Sequence, residues 1–191
     1  MSRSKEFDEG AVLLKAMVLF WRNGYEKTSM QDLVDYMNIH RRSIYDTFGD
    51  KKSLFLRALQ LFEESTERRI IQQIKPIQSV KSSIRGIFET IVFPKDERPP
   101  GCLMVNTAIE MTSHEPEIAA RIKKSFNKSE ALIHELLVHG QMSGEISDQL
   151  DVDKVASSIH NSLIGIRVLA KTTDDKEKLQ NIIDTTIAIL D

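Results

Sequence analysis

Apolar residues recur at helical spacing along almost the whole chain, and no stretch shows the period-two alternation of a half-buried strand. Leu13, Met17 and Phe20 form one stripe of a first helix from about Glu9 to Asn23, which Gly24 closes. Thr28 opens a second. In Thr28-Ser29-Met30-Gln31 the hydroxyl and the Gln side chain match a capping box, and Met30, Leu33, Val34 and Met37 follow at i, i+3, i+4 and i+7. After a short break at Asn38-Ile39, a third helix from His40 to about Thr47 has only Ile44, Phe48 and part of Tyr45 to bury. Gly49-Asp50 ends it and caps a fourth, Lys51 to about Ile74, whose core face is Leu54, Phe55, Ala58, Leu61 and Phe62; Pro76 breaks the chain there.

Val80, Ile84, Ile87, Phe88 and Ile91 mark a fifth helix, and Pro94, Pro99 and Pro100 a loop after it. A sixth helix starts near Cys102 and runs to Thr112. Pro116 suits the first turn of a long seventh, with Ile118, Ile122, Phe126 and Ile133 as its stripe and Gly140 and Gly144 at its end. Val155, Ile159, Leu163, Ile166 and Ala170 lie in an eighth helix; Leu179, Ile182, Ile183, Thr186 and Leu190 in a ninth. The pattern predicts an all-α fold of about nine helices, with a small unit over 6–66 and a larger one over 67–191.

Three short helices in the first fifty residues, the second and third separated by a tight turn, form a helix-turn-helix pattern. Such a motif lays its third helix in the major groove with the N-terminal residues at the base edges. His40, Arg41, Arg42 and Ser43 occupy that first turn, and Arg pairs bidentately with guanine. Thr28 and Ser29 offer hydroxyls and free amides to a phosphate at the start of the second helix. Tyr45, Thr47 and Lys51 complete the expected phosphate contacts.

Charge sharpens this picture. The net charge of the 191 residues is −2, so the total does not announce a polyanionic partner. Residues 1–66 carry 10 basic and 10 acidic side chains, and 67–191 carry 16 and 18. Within 40–52, however, Arg41, Arg42, Lys51 and Lys52 face only Asp46 and Asp50, so the positive charge is local. The single cysteine excludes an intrachain disulfide and fits a reducing cytoplasm. No apolar run approaches the roughly 20 residues that span a bilayer, and the N-terminus has no apolar signal core. A cytoplasmic protein without a membrane partner is expected.

The run from Ala16 to Leu59, including A-M-V-L-F-W-R-N-G-Y-E-K-T-S-M-Q-D-L and S-I-Y-D-T-F-G-D-K-K-S-L-F-L-R-A-L, closely resembles the DNA-binding domain of TetR/AcrR-family transcriptional regulators. The pieces that carry the resemblance are F-x-x-x-G-Y at the end of the first helix, the T-S pair before the second, and S-I-Y-x-x-F-x-x-K across the third and fourth. Two positions depart from it: Asn38 stands where many members have glycine, and Thr47 where many have histidine. Asn can still adopt a left-handed turn. The resemblance implies a DNA-binding domain over 6–66, an effector-binding and dimerisation domain over 67–191, and repression of a double-stranded operator relieved by a small molecule. It also implies a homodimer built on the last two helices, where Ser158, Ser162 and Gly165 permit close helix approach.

Family geometry places the effector among helices four to eight. Phe88, Met104, Ile109, Phe126 and His160 are the candidate lining, with Asn106 and Glu110 as polar contacts; each also fits an ordinary core or surface position. Cys102, in P-P-G-C-L-M-V-N, sits at a helix start, where a thiolate is favoured, and is the candidate redox or electrophile sensor; a Gly-Cys here recurs in a subset of the resembling family. Glu110 and His114 at i, i+4 do not amount to a metal site, and His134 and His139 do not share a face. No P-loop, glycine-rich dinucleotide turn, H-E-x-x-H or activated nucleophile is present, so neither an enzyme nor a cofactor is expected. A helical interaction module that had lost DNA binding would not keep Arg41, Arg42, Ser43 and Tyr45 together.

Overall fold

The computed structural model describes residues 7–74, 79–94 and 96–191, and among them nine α-helices and no strand. These are α1 (Glu9–Asn23), α2 (Met30–Met37), α3 (Arg41–Phe48), α4 (Lys51–Ile71), α5 (Val80–Val92), α6 (Leu103–Met111), α7 (Pro116–Met142), α8 (Val152–Thr172) and α9 (Lys176–Ala188). The all-α expectation holds. α4 stops at Ile71 rather than Ile74, in a turn where Gln73 N donates to Ile70 O; Pro76 lies outside the described residues.

Short side chains start most of these helices. Asp8 accepts from the amides of Gly10 and Ala11, Asp50 from Ser53, Asp151 from Lys154 and Asp175 from Lys178. Each satisfies amides that have no intrahelical acceptor, a contribution of about 1 kcal/mol per cap. Gly24, at φ 84°, ends α1 in a conformation that a side chain would resist.

Two apolar clusters divide the interior. The first joins α1 to α4 with α6 and the start of α7. Phe20 is completely buried there and meets Phe55 edge-on at 5.0 Å, while Trp21 meets Phe62 edge-on at 4.8 Å. The second joins α5, the distal part of α7, α8 and α9, and takes Ile70 from the end of α4. Full burial of one such side chain contributes about 1.5–3 kcal/mol, so each cluster is a substantial core. α4 supplies both and couples them. Ion pairs Lys52–Glu115 (2.6 Å), Arg121–Glu63 (2.5 Å) and Lys128–Glu67 (2.7 Å) run along its flank to α7 and the residue before it.

Candidate nucleic-acid interface

The chain holds α2 and α3 in place from behind. Thr28 is fully buried and its hydroxyl donates to Gly24 O at 2.6 Å, bracing the approach to α2. The expected phosphate contact of Thr28 is therefore corrected, because its hydroxyl is internal. The capping box sits one residue later. Ser29 Oγ accepts from the Asp32 amide, and the Ser29 amide donates back to the Asp32 carboxylate. Ser29 Oγ also donates to Asp32 at 2.7 Å, so this hydroxyl too is engaged. These bonds from Ser29 lower the Asp32 pKa and keep an ionised carboxylate at the start of α2. What α2 offers an anion is its first-turn amides at Met30 and Gln31, which have no intrahelical acceptor.

The turn that follows depends on Asn38, at φ 57° and ψ 48°, the left-handed conformation expected of it. Its amide donates to Val34 O, and Lys15 Nζ reaches from α1 to Met37 O at 3.3 Å. α3 then anchors through Ile44 and Phe48, both buried. Arg57 lies over the Phe48 ring at 4.8 Å and donates to Thr47 O at 3.2 Å, fixing the far end.

With that frame set, the outward face of α3 is free. His40 is its N-cap and makes no side-chain cap, so the helix start is open. His40, Arg41, Arg42 and Tyr45 are exposed; Ser43, Thr47 and Lys51 are half-buried. Among the described residues Arg41 has no intramolecular partner. Arg42 faces Asp46 at 3.5 Å, but with side chains 92% and 68% exposed this pair is easily given up. Lys51 Nζ stands 4.3 Å from the centre of the Tyr25 ring. Lys52 turns away: it bonds Glu115 and lies 3.8 Å from Glu117, and its hydrogen bond to Glu115 raises its pKa.

The candidate effector residues do not all gather at one place, although Phe126 and His160 touch. Ile109 is 78% exposed and lines nothing. Glu110 is a strut: its carboxylate accepts from the amides of Tyr25 (2.9 Å) and Glu26 (2.8 Å), and Asn106 donates to Trp21 O at 3.3 Å. Phe88 is core of the second cluster, whereas Met104 and Phe126 belong to the first. His160 is buried against Phe126, with Nδ1 3.7 Å from Glu130; burial lowers its pKa, Glu130 opposes this and Arg167 reinforces it. The pair Glu110–His114 is split, since His114 faces Glu26 at 3.9 Å and His134 faces Asp153 at 3.2 Å.

A cavity of about 140 Å³ lies elsewhere, bounded among others by Trp21, Phe62, Arg69, Arg98, Cys102 and Arg167. Of the candidate site residues read from the sequence, only Cys102 is in its wall, buried and at the N-cap of α6. The sequence reading missed the three arginines. One signal was available: Arg167 interrupts the apolar stripe Ile159, Leu163, Ile166 and Ala170.

Comparison with known proteins agrees with this geometry. Residues 12–58 match the family described as bacterial regulatory proteins, tetR family, and residues 84–186 match the tetracyclin repressor-like C-terminal domain. The chain is 34% identical over 194 residues to the uncharacterized HTH-type transcriptional regulator YezE of Bacillus subtilis (strain 168), covering 100% of both chains. It is 30% identical to the HTH-type transcriptional repressor ComR of Escherichia coli (strain K12), over 98% of this chain and 90% of that one. A solved structure of the TetR-family regulator CifR, a cysteine mutant complexed with 26bp double-strand operator DNA, superposes with TM-score 0.90 at 26% identity over 100% of both chains. No described helix is long and apolar enough to cross a membrane. A helix-turn-helix presented by α2 and α3, followed by the matching C-terminal helices, means that this chain belongs to the TetR family of bacterial transcriptional regulators.

Proposed function

We propose that this chain is a cytoplasmic, homodimeric repressor that binds a double-stranded operator through α3 and releases it when a small molecule occupies the C-terminal helices. The observation that carries the reading is the exposed face of α3 on a frame pinned at both ends: Arg41 unpartnered, Arg42 loosely paired, and Ile44 and Phe48 fully engaged behind them. His40, Arg41, Arg42 and Ser43 reach base edges. Tyr45, Thr47, Lys51 and the α2 amides hold phosphates. ComR is named a repressor and the CifR structure contains operator DNA, which supports the same role here. The DNA-binding unit is 6–66 and the effector unit 67–191, with α4 running through the boundary as the lever between them.

The dimer reading rests on α8 and α9. Ser158, Gly165 and Val168 are exposed on α8, and Ile189 at the C-cap of α9, beside a shallow concavity lined by Ser162 and Ile182. A Cβ added at Gly165 meets nothing within 4 Å, which leaves room for a facing helix. Two-fold pairing puts two copies of α3 into successive major grooves about 34–36 Å apart, or a multiple of it.

The test is fluorescence anisotropy with DNA flanking the protein's own gene against scrambled DNA, across a salt series. Preferential binding with a steep salt slope is expected. Equal weak binding to both, together with no enriched sequence in a selection from random DNA, overturns the reading.

A further inference from the structure

Three arginines, Arg69, Arg98 and Arg167, are among the residues that line the cavity between α1, α4, the α5–α6 connection and α8. Arg167 is only 6% exposed, yet no carboxylate among the described residues pairs with it. Arg69 has Thr66 Oγ1 at 3.1 Å and no ion pair among the described residues. Arg98 alone is matched, by Asp96 at 3.2 Å and by a hydrogen bond to Thr90 O. Among the described residues these three arginines therefore share one carboxylate partner, Asp96. Burial lowers the pKa of Arg69 and the nearby Arg98 lowers it further, while burial also lowers that of Arg98, so the cluster is costly as it stands. A further donor is unmet: Trp21 is 4% exposed, lines the same cavity, and its Nε1 has no acceptor among the described residues.

Apart from Thr66 and Thr90, the rest of the wall is mainly apolar. Phe62 and Ile70 from α4, and Val92 with the prolines of the connection, close the space. Gly101, at φ 84°, lets that connection lie on α8: a Cβ there would stand 3.4 Å from Arg167 O and 3.3 Å from Lys171. A dry cavity of about 150 Å³ accepts benzene, so a space of about 140 Å³ suits one ring or a short branched chain.

We propose that this cavity is a binding site for a small organic carboxylate, with the anion held by Arg69 and Arg167 and an apolar body of about one aromatic ring against Phe62 and Trp21. An anion meets the unpaired guanidinium charge, and its oxygen supplies the acceptor that Trp21 Nε1 lacks. The location gives the ligand a grip on both parts of the molecule. Trp21 is two residues from the end of α1, beneath the helix-turn-helix; Arg69 is on α4, and Arg167 belongs to α8. As the effector site, this deepens and rests on the reading of an effector-released repressor: a ligand that favours one arrangement of α1 against α8 shifts the spacing of the two α3 helices.

Trp21 is the sole tryptophan, so its emission reports the site directly. The full chain is titrated with benzoate, and with benzyl alcohol as the uncharged compound of similar size, without DNA. A saturable emission change is expected for benzoate with Kd at or below about 1 mM, and at least tenfold weaker binding of the alcohol. Arg167→Met and Arg69→Met should each weaken benzoate tenfold or more while circular dichroism and operator affinity without benzoate stay unchanged. No saturation by about 10 mM benzoate, equal binding of the alcohol, or wild-type affinity in both variants overturns the proposal. Operator anisotropy in the same samples separates the two readings. Benzoate bound selectively with the operator complex intact supports the carboxylate site and removes its role as effector; operator bound with no response to benzoate leaves the repressor standing without this ligand.

Discussion

The α2–α3 surface and the arginine cavity use the same side chain in opposite ways. Arg41 and Arg42 project from a short helix into solvent, where a hydrated guanidinium costs almost nothing and is free for the proposed contacts with phosphate or guanine. Arg69, Arg98 and Arg167 line an interior cavity together with Trp21 and Phe62, and there burial works against the charge of Arg69 and Arg98, a cost that the proposed anionic ligand would relieve. The first region is assembled from neighbours in sequence and held in place by its own buried anchors, Ile44 and Phe48. The second is assembled from α1, α4, α8 and a loop, and any ligand in it acts on how those parts meet. The proposed functions thus divide between a fixed reader and an adjustable joint, with α1 and α4 common to both.

Breaking the common frame should erase the distinction. Phe20 is fully buried in the first cluster and stacks edge-on with Phe55. Phe20→Ala should cost about 3–5 kcal/mol, measured by urea unfolding, and operator and benzoate responses should be lost together. Retention of either at full strength would mean that the two regions do not share this core. Glu110 comes next, because it joins α6 to the α1–α2 loop through two backbone amides. Glu110→Ala leaves those amides without their charged acceptor, at a cost of about 1.5–3 kcal/mol. The expected result is a lower unfolding midpoint with weakened transmission, read as operator binding that no longer responds to ligand. An unaltered midpoint would remove Glu110 from the connection.

Arg41→Ala sharpens the comparison from the other side. Its side chain has no partner within the described chain, so thermal stability should move by less than about 0.5 kcal/mol, while operator discrimination falls by about 1–3 kcal/mol. The binding curve and the melt are measured on one preparation. A loss of stability equal to the loss of binding would make Arg41 a structural residue of α3.

How much of this could be read from the chain follows the same division. Helix positions were legible because Leu, Ile and Phe at three- and four-residue spacing meet one core, and because Gly24, Asn38 and Asp50 mark the ends locally. The α3 surface was legible for the same reason: Ile44 and Phe48 fix which way Arg41 and Arg42 point. The capping box was misplaced by one residue, since Thr28 and Ser29 are both hydroxyls and only the fold shows that Thr28 bonds back to Gly24. The cavity was illegible. Its members Trp21, Arg69, Arg98 and Arg167 are tens of residues apart, and nothing local to Arg69 distinguishes it from Arg68 beside it. Glu110 was misassigned because its partners are backbone amides, which carry no sequence signature.

Glu145 offers the mildest probe, in a region with neither reader nor joint. It sits after α7 and accepts from the amides of Val80 and Lys81 at 2.8 and 2.9 Å, capping α5 from a distant segment. Burial works to raise its pKa, but these amide bonds prevail and hold it below 4.5. A carboxyl whose pKa is depressed by folding binds fewer protons folded than unfolded. Its contribution is complete above the unfolded value and fades as the pH falls through the folded one. Glu145→Gln should therefore cost about 1 kcal/mol at neutral pH, from the lost charge at a helix start, or a drop of about 2–4 °C in a protein of this size. The gap between the two proteins should narrow as the pH falls below 4.5, and operator and benzoate affinities should not change. A gap of constant size across that range would show that the amides need an acceptor at this position but not an ionised one.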